Sequence, residues 1–347
     1  MLIFGYEIFA IIGFLLAAYA VIANDSIQTL GTFLASNAHR PWWILWIFAA
    51  GIMIAALMFQ LVYGGGDIAD GKLNPIPYPE NGIQWWHALP PAVLILLTRF
   101  SIPVSTTFLV LTVFALSGGA STEGVMSKML IKSLTGYVVA FGAGAVIWLL
   151  ISKAWETWIG RTKDEGKLNP LWTVFQWCTT AFLWWTWLLQ DFANIFVFLP
   201  REAVLNADGS VERMVFEPQL IIFGAVIMAA MMAYIFATRG GQIQKIVLRK
   251  VHTTDIRAAT IVDLIYAVVL FYFKELNDVP MSTTWVFLGL LAGREMAISF
   301  VTALRERGEA LKDVSSDAGR ALIGLAISVA LAVGVPWLAT GALPNFS

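Results

Sequence analysis

Charge is scarce in this sequence. Of 347 residues only 13% are charged and 59% are hydrophobic, whereas a soluble domain carries roughly a quarter charged residues. That is too little charge to clothe a water-facing surface. Lys and Arg number 22 against 23 Asp and Glu, a formal net charge of −1, so the basic footprint of a nucleic-acid-binding chain is missing. Cysteine occurs once, at Cys178 within an apolar run, which excludes an intrachain disulfide and a cysteine-built zinc cage. The three histidines are scattered: His39 and His87 near the ends of apolar runs, His252 in a basic loop. With one buried cysteine they supply no metal cluster, nucleophile or general base, so no catalytic residue and no organic cofactor is expected.

What the sequence has in abundance is apolar runs long enough to cross roughly 30 Å of hydrocarbon. They cover 2–23, 41–63, 129–152, 170–190, 218–237, 258–273 and 321–340. Lipid offers no partner to an unpaired backbone amide, so the runs are expected as helices of an all-α, polytopic transmembrane bundle. Residues 1–23 lack a basic n-region and carry Glu7, so they read as a retained span rather than a signal peptide. Fifteen tryptophans gather at run ends, among them Trp42, Trp43, Trp46, Trp85, Trp86, Trp184, Trp185 and Trp187, as an interfacial belt would. Loops 153–169 and 239–257 are basic, and loop 201–217 between them is acidic. The positive-inside rule puts the first two in the cytoplasm and the third outside. A bacterial inner (plasma) membrane is the expected location.

Several stretches are interrupted. Ala-Asn-Asp-Ser at 23–26, Arg99 to Pro103, Asp191, and Lys274 to Pro280 each break an apolar stretch and precede a short apolar piece. Interrupted segments at corresponding places in two halves point to a transporter binding site formed by broken or re-entrant half-helices. The halves do correspond. Ile102-Pro-Val-Ser-Thr-Thr107 matches Val279-Pro-Met-Ser-Thr-Thr284, and Asn24-Asp25 matches Gln190-Asp191. One Pro-x-Ser-Thr-Thr string arises readily by chance; two, each following an Asp motif at comparable distance, signal an internal repeat. The expected organisation is a first transmembrane repeat at 1–152, a cytoplasmic connector at 153–169 and a second repeat at 170–347. Gly142 and Gly144, among alanines, are expected on a close helix-packing face.

The repeated motifs carry a chemistry. Proline starts a helix more readily than it sits within one, and the first-turn amides lack intrahelical partners. The hydroxyls of Ser105, Thr106, Thr107, Ser282, Thr283 and Thr284 add donors there, making a cradle for an oxyanion; the competing reading is that they cap their own half-helices. Asp25 and Asp191 within spans mark an ion pathway. Beside a bound anion they repel it, so cations must sit between, Na⁺ or protons. Asn24, Gln28, Gln190 and Asn194 lie within a turn of the aspartates and offer amide oxygens to a cation or amide donors to the anion. Asp263, near the start of its run, is a candidate third coupling site but is expected at the membrane interface, and Arg99, a candidate to lend charge to the anion, is expected to snorkel.

These residues resemble the inorganic phosphate transporter family. Ala23-Asn-Asp-Ser-Ile-Gln-Thr-Leu-Gly-Thr32 is similar to its first signature, Asp191-Phe-Ala-Asn194 to the start of its second, and both Pro-x-Ser-Thr-Thr strings to its Pro-Val-Ser-Thr-Thr. The resemblance spans roughly 24 to 295. It implies inverted-topology repeats and a homodimer. Asn24, Asp25, Gln28, Asp191 and Asn194 would fall at ion or phosphate positions, and both Ser-Thr-Thr groups at the phosphate. The chain departs from the pattern at Gln28 and Gln190, each in place of Asn. Val197-Phe198 stands for Gly-Pro, and Phe108 and Trp285 for His.

The expectation is Na⁺-coupled symport of inorganic phosphate by alternating access. Substrate positions would be Gln28, Asn194 and both Ser-Thr-Thr groups; cation positions would be Asn24, Asp25, Gln190 and Asp191, with Na⁺ at the two aspartates. Proton-coupled phosphate or sulfate transport is the alternative within the class. A membrane-embedded enzyme of phosphate or lipid chemistry and a non-transporting scaffold are the alternatives outside it.

Overall fold

A computed structural model describes residues 2–3, 6–26, 29–99, 102, 104–117, 124–162, 169–238, 255–276, 282–301 and 307–341. Helix α1 (Ile8–Val21) widens into a π-type turn at Ile22–Ser26, and the short α2 (Gly31–Ser36) follows. Next come α3 (Trp42–Val62), a 3₁₀ turn (Trp85–Ala88), α4 (Leu89–Arg99), a π-type turn (Thr107–Leu111) continuing into α5 (Thr112–Ser117), and α6 (Val125–Thr162). The remainder is α7 (Leu171–Phe196), a hairpin of β3 (Glu202–Leu205) and β4 (Val211–Val215), α8 (Pro218–Ala237), α9 (Ile256–Leu276), α10 (Thr283–Val301) and α11 (Arg307–Thr340). A two-stranded ribbon, β1 (Leu2–Ile3) with β2 (Tyr6–Glu7), precedes α1.

Seven of these helices are long and apolar enough to cross a membrane, and the protein is a multi-pass membrane bundle. Their starts obey proline's rules: Pro41 immediately precedes α3 and Pro218 opens α8, where a missing N–H leaves no bond unmade. The 26-residue α7 is not among the seven, although at 1.5 Å per residue it extends about 39 Å. Gln176, Thr180, Gln190, Asp191 and Asn194 dilute its hydropathy, and all five are buried within the protein. The part of a helix enclosed by protein, here from Leu183 to Phe196, is under no pressure to be apolar all round.

The packing follows a paired pattern. Helix α1 lies against α4, and α7 against α9. Helix α5 and its π turn lie against α11, while α10 lies against α6; α3 and α8 pack on one another. This exchange is consistent with two internal repeats, each lending its last helix to the other. Helix α6 continues past residue 152 to Thr162, so the first ten residues of the expected connector are helical. At one end of the bundle the 63–84 loop and the β3–β4 hairpin form a single cap. The amide of Phe216 donates to the Gly66 carbonyl at 3.2 Å, Asn74 Nδ2 to Glu212 O at 2.8 Å and Arg201 Nη2 to Ile76 O at 2.8 Å.

Some sequence expectations are overturned. Helix α7 runs through Asp191 without a break, because Asn194 one turn on donates to that carboxylate from within the same helix. Helix α10 is 19 residues, long enough to span rather than a short piece. Trp184 and Trp187 are not in an interfacial belt; they stack in the core at a 4.8 Å centroid distance, with Trp184 Nε1 donating to Ala49 O. Trp43 and Trp85 are exposed, as a belt requires. Cys178 is exposed, not buried. Of the glycine pair, Gly144 lies against the backbone of Leu290 and Arg294 in α10, while nothing lies near Gly142.

Candidate functional site

The site is built where the π turn after α1, the start of the π turn that leads into α5, the start of α10 and the last two turns of α7 converge. In the first half, the π turn carries Asn24 and Asp25. Such turns free backbone groups from the regular ladder and recur at functional sites. The Ser26 hydroxyl donates back to the Ile22 carbonyl. Asn24 Nδ2 donates to Asp25 Oδ1 at 2.6 Å, and the Thr106 hydroxyl donates to Asp25 Oδ2.

The second half repeats the arrangement on a regular helix. Asn194 Nδ2 donates to Asp191 Oδ1 at 2.6 Å, and the Thr283 hydroxyl sits against the same carboxylate. Thr106 and Thr283 are the middle residues of the two Ser-Thr-Thr groups, so each motif grips the aspartate of its own half. Asn194 Nδ2 also reaches Thr107 Oγ1 at 3.3 Å, linking the halves. Phe108 and Trp285, which follow the two motifs, meet at a 6.2 Å centroid distance. The starts of the two half-helices therefore face one another, and Asp25 and Asp191 lie close enough to interact electrostatically.

The serines do what the capping reading requires. Ser105 Oγ accepts the Phe108 amide and Ser282 Oγ the Trp285 amide, each at 3.2 Å. Accepting leaves a hydroxyl its own proton, so capping and donation to an anion coexist. The Ser282 amide itself is taken by Ser133 Oγ of α6 at 2.9 Å, which removes it from the expected cradle. Thr284 is buried. Gln28, Pro103 and Pro280 lie outside the described residues, as does the side chain of Arg99.

Among the described residues, four buried atoms at the centre have no hydrogen-bond partner: Gln190 Nε2 and Oε1, Asp191 Oδ2 and Asn194 Oδ1. Leaving such groups unpaired away from water costs about 1–3 kcal/mol each, so a polar partner, ligand or water, belongs there.

One residue joins the site that the sequence did not single out, Tyr266, and one that it expected elsewhere, Asp263, lies a turn away on the same helix. Tyr266 of α9 donates to the Thr283 carbonyl at 3.2 Å. Asp263, one turn earlier, is buried rather than interfacial. Thr32 of α2 donates to its Oδ1, and Thr180 of α7 to its Oδ2 at 2.6 Å. The i, i+3 spacing of Asp263 and Tyr266 was the available signal, since it places both on one helix face. His87 stands apart: it stacks on Trp86 at 3.7 Å and accepts the Gln84 amide at Nδ1.

Chemically, the cluster offers carboxylate and amide oxygens to hard cations and hydroxyl and amide protons to an anion. No family model and no curated protein sequence matches the chain. A solved structure titled "The sodium-dependent phosphate transporter" matches over 96% of this chain and 98% of its own, with a TM-score of 0.57 and 15% identity. The chain has the fold of that transporter.

Proposed function

We propose that the protein is a secondary transporter that moves inorganic phosphate across the membrane together with Na⁺, by alternating access. The observation that carries the reading is the pair of buried aspartates at the repeated motifs: Thr106 donates to Asp25, and Thr283 lies beside Asp191. Two carboxylates and an anion cannot share a dry interior unless cations lie between them, because like charges at low dielectric repel by several kcal/mol. Sodium fits the carboxylate and amide oxygens present, and the hydroxyl-bearing half-helix starts suit a tetrahedral anion. The fold shared with a protein titled as a sodium-dependent phosphate transporter agrees with this reading. Pairing between two copies of the chain belongs to the same proposal.

The test is uptake of labelled phosphate into proteoliposomes with and without an inward Na⁺ gradient. Wild-type protein is expected to accumulate phosphate only with the gradient. Asp25→Asn or Asp191→Asn should lower accumulation by tenfold or more, which is about 1.4 kcal/mol of lost coupling. Uptake by Asp25→Asn with Na⁺ dependence intact would refute the charge argument. A proton gradient substituting fully for Na⁺ would show that protons couple the transport.

A further inference from the structure

We propose that Gln190 reads the hydrogen carried by the anion, so that the site takes hydrogen-bearing tetrahedral oxyanions and rejects sulfate. The inference rests on the oxyanion reading above and narrows it. Gln190 lies on α7 one turn before Asn194 and beside Asp191, and residues four apart share a helix face. It is buried, and neither end of its amide has a partner. The two other unpartnered atoms of the cluster, Asp191 Oδ2 and Asn194 Oδ1, are both acceptors. The orientation of Asn194 is fixed by its partner: its Nδ2 must face the Asp191 carboxylate, which only accepts, and Oδ1 therefore points elsewhere.

The unpartnered set is thus three acceptor atoms and one donor group. A coupling cation can satisfy a carboxylate oxygen. It can also satisfy the Gln190 oxygen but never the NH₂, which needs an acceptor; with the cations on the carboxylates, both ends of the amide are left to the anion. Phosphate at neutral pH carries one or two hydrogens, so one P–OH can donate to Gln190 Oε1 while a neighbouring P–O⁻ accepts from Nε2. Sulfate has the same shape and size but no hydrogen at this pH. It would turn a lone pair toward Oε1 and leave that acceptor unpaired in a dry site. Sites built to hydrogen-bond a substrate hydrogen reject analogues that lack it far more strongly than apolar pockets reject misfits.

The experiment is competition for labelled phosphate uptake into proteoliposomes under an inward Na⁺ gradient, using arsenate, which bears hydrogen as phosphate does, and sulfate, which does not. Wild-type protein should be inhibited by arsenate near the phosphate half-saturation concentration and by sulfate only at about a hundredfold higher concentration. Gln190→Met, similar in shape but without the amide, should raise the phosphate half-saturation concentration about tenfold or more and shrink the arsenate-to-sulfate ratio. Sulfate matching arsenate on the wild type overturns the inference while leaving phosphate transport standing. So does a Gln190→Met variant with an unchanged anion ratio. Wild-type protein that takes up no oxyanion removes the underlying reading, and this one with it.

Discussion

Asp263 illustrates what one buried carboxylate demands of its neighbours. Thr32 and Thr180, from two other helices, each give a hydroxyl to one of its oxygens. Thr180→Val would strand Oδ2 in the interior at a cost of about 1–3 kcal/mol. Thr179→Val removes only a bond to the carbonyl of Gln176 and should cost within about 0.5 kcal/mol. Thermal unfolding in detergent should therefore show a lower midpoint for Thr180→Val alone; equal midpoints would contradict the arrangement. The motif residues Asp25, Asp191 and both Ser-Thr-Thr groups were legible in the sequence, because polar strings repeated in apolar surroundings stand out. The burial of Asp263 was not. On α9, Val262, Tyr266, Leu270 and Phe273 face inward, while Leu264, Val268, Phe271 and Tyr272 are exposed. In a membrane both faces are apolar, so the register of a helix that would orient Asp263, or Cys178 and Trp184 on α7, is invisible in composition.

At the scale of elements, the centres of most spans were legible because hydrocarbon thickness demands a long apolar run. Their ends were not: α6 and α11 extend beyond 129–152 and 321–340, and the span of α10 was read as a short piece. Pro90 and Pro91 sit in the first turn of α4, where no amide partner is required. Asp191 was expected to break its helix, yet an aspartate with a donor one turn away has no reason to. Contacts between elements are sharper still. A Cβ on Gly293 would meet the Phe141 carbonyl oxygen and lie 2.8 Å from the Ala145 amide of α6. Overpacking a tight interface costs roughly 1–3 kcal/mol, so Gly293→Ala should lower the unfolding midpoint. Gly142→Ala, with open space around it, should be neutral or slightly stabilising through helix propensity. A Gly293→Ala protein as stable as wild type would mean that α6 and α10 do not pack backbone to backbone.

Across the whole molecule, the loop charges predict an orientation. In a Cys178→Ser background, a cysteine at Ala207 in the hairpin turn should react with a membrane-impermeant maleimide added to intact cells. A cysteine at Arg161, near the end of α6, should react only after permeabilisation. The opposite pattern would place the basic connector outside and reverse the assignment.

The exchange of helices between halves bears on how the chain is made. Helix α6 is complete by Thr162, but its face at Tyr137, Phe141 and Gly144 waits for the glycines of α10, which begins at Thr283. At 5–20 residues per second, synthesis leaves a delay on the order of ten seconds. Through that interval the newborn first half holds that face open in the bilayer, unsealed until its partner arrives. Each half is thus the template on which the other finishes folding.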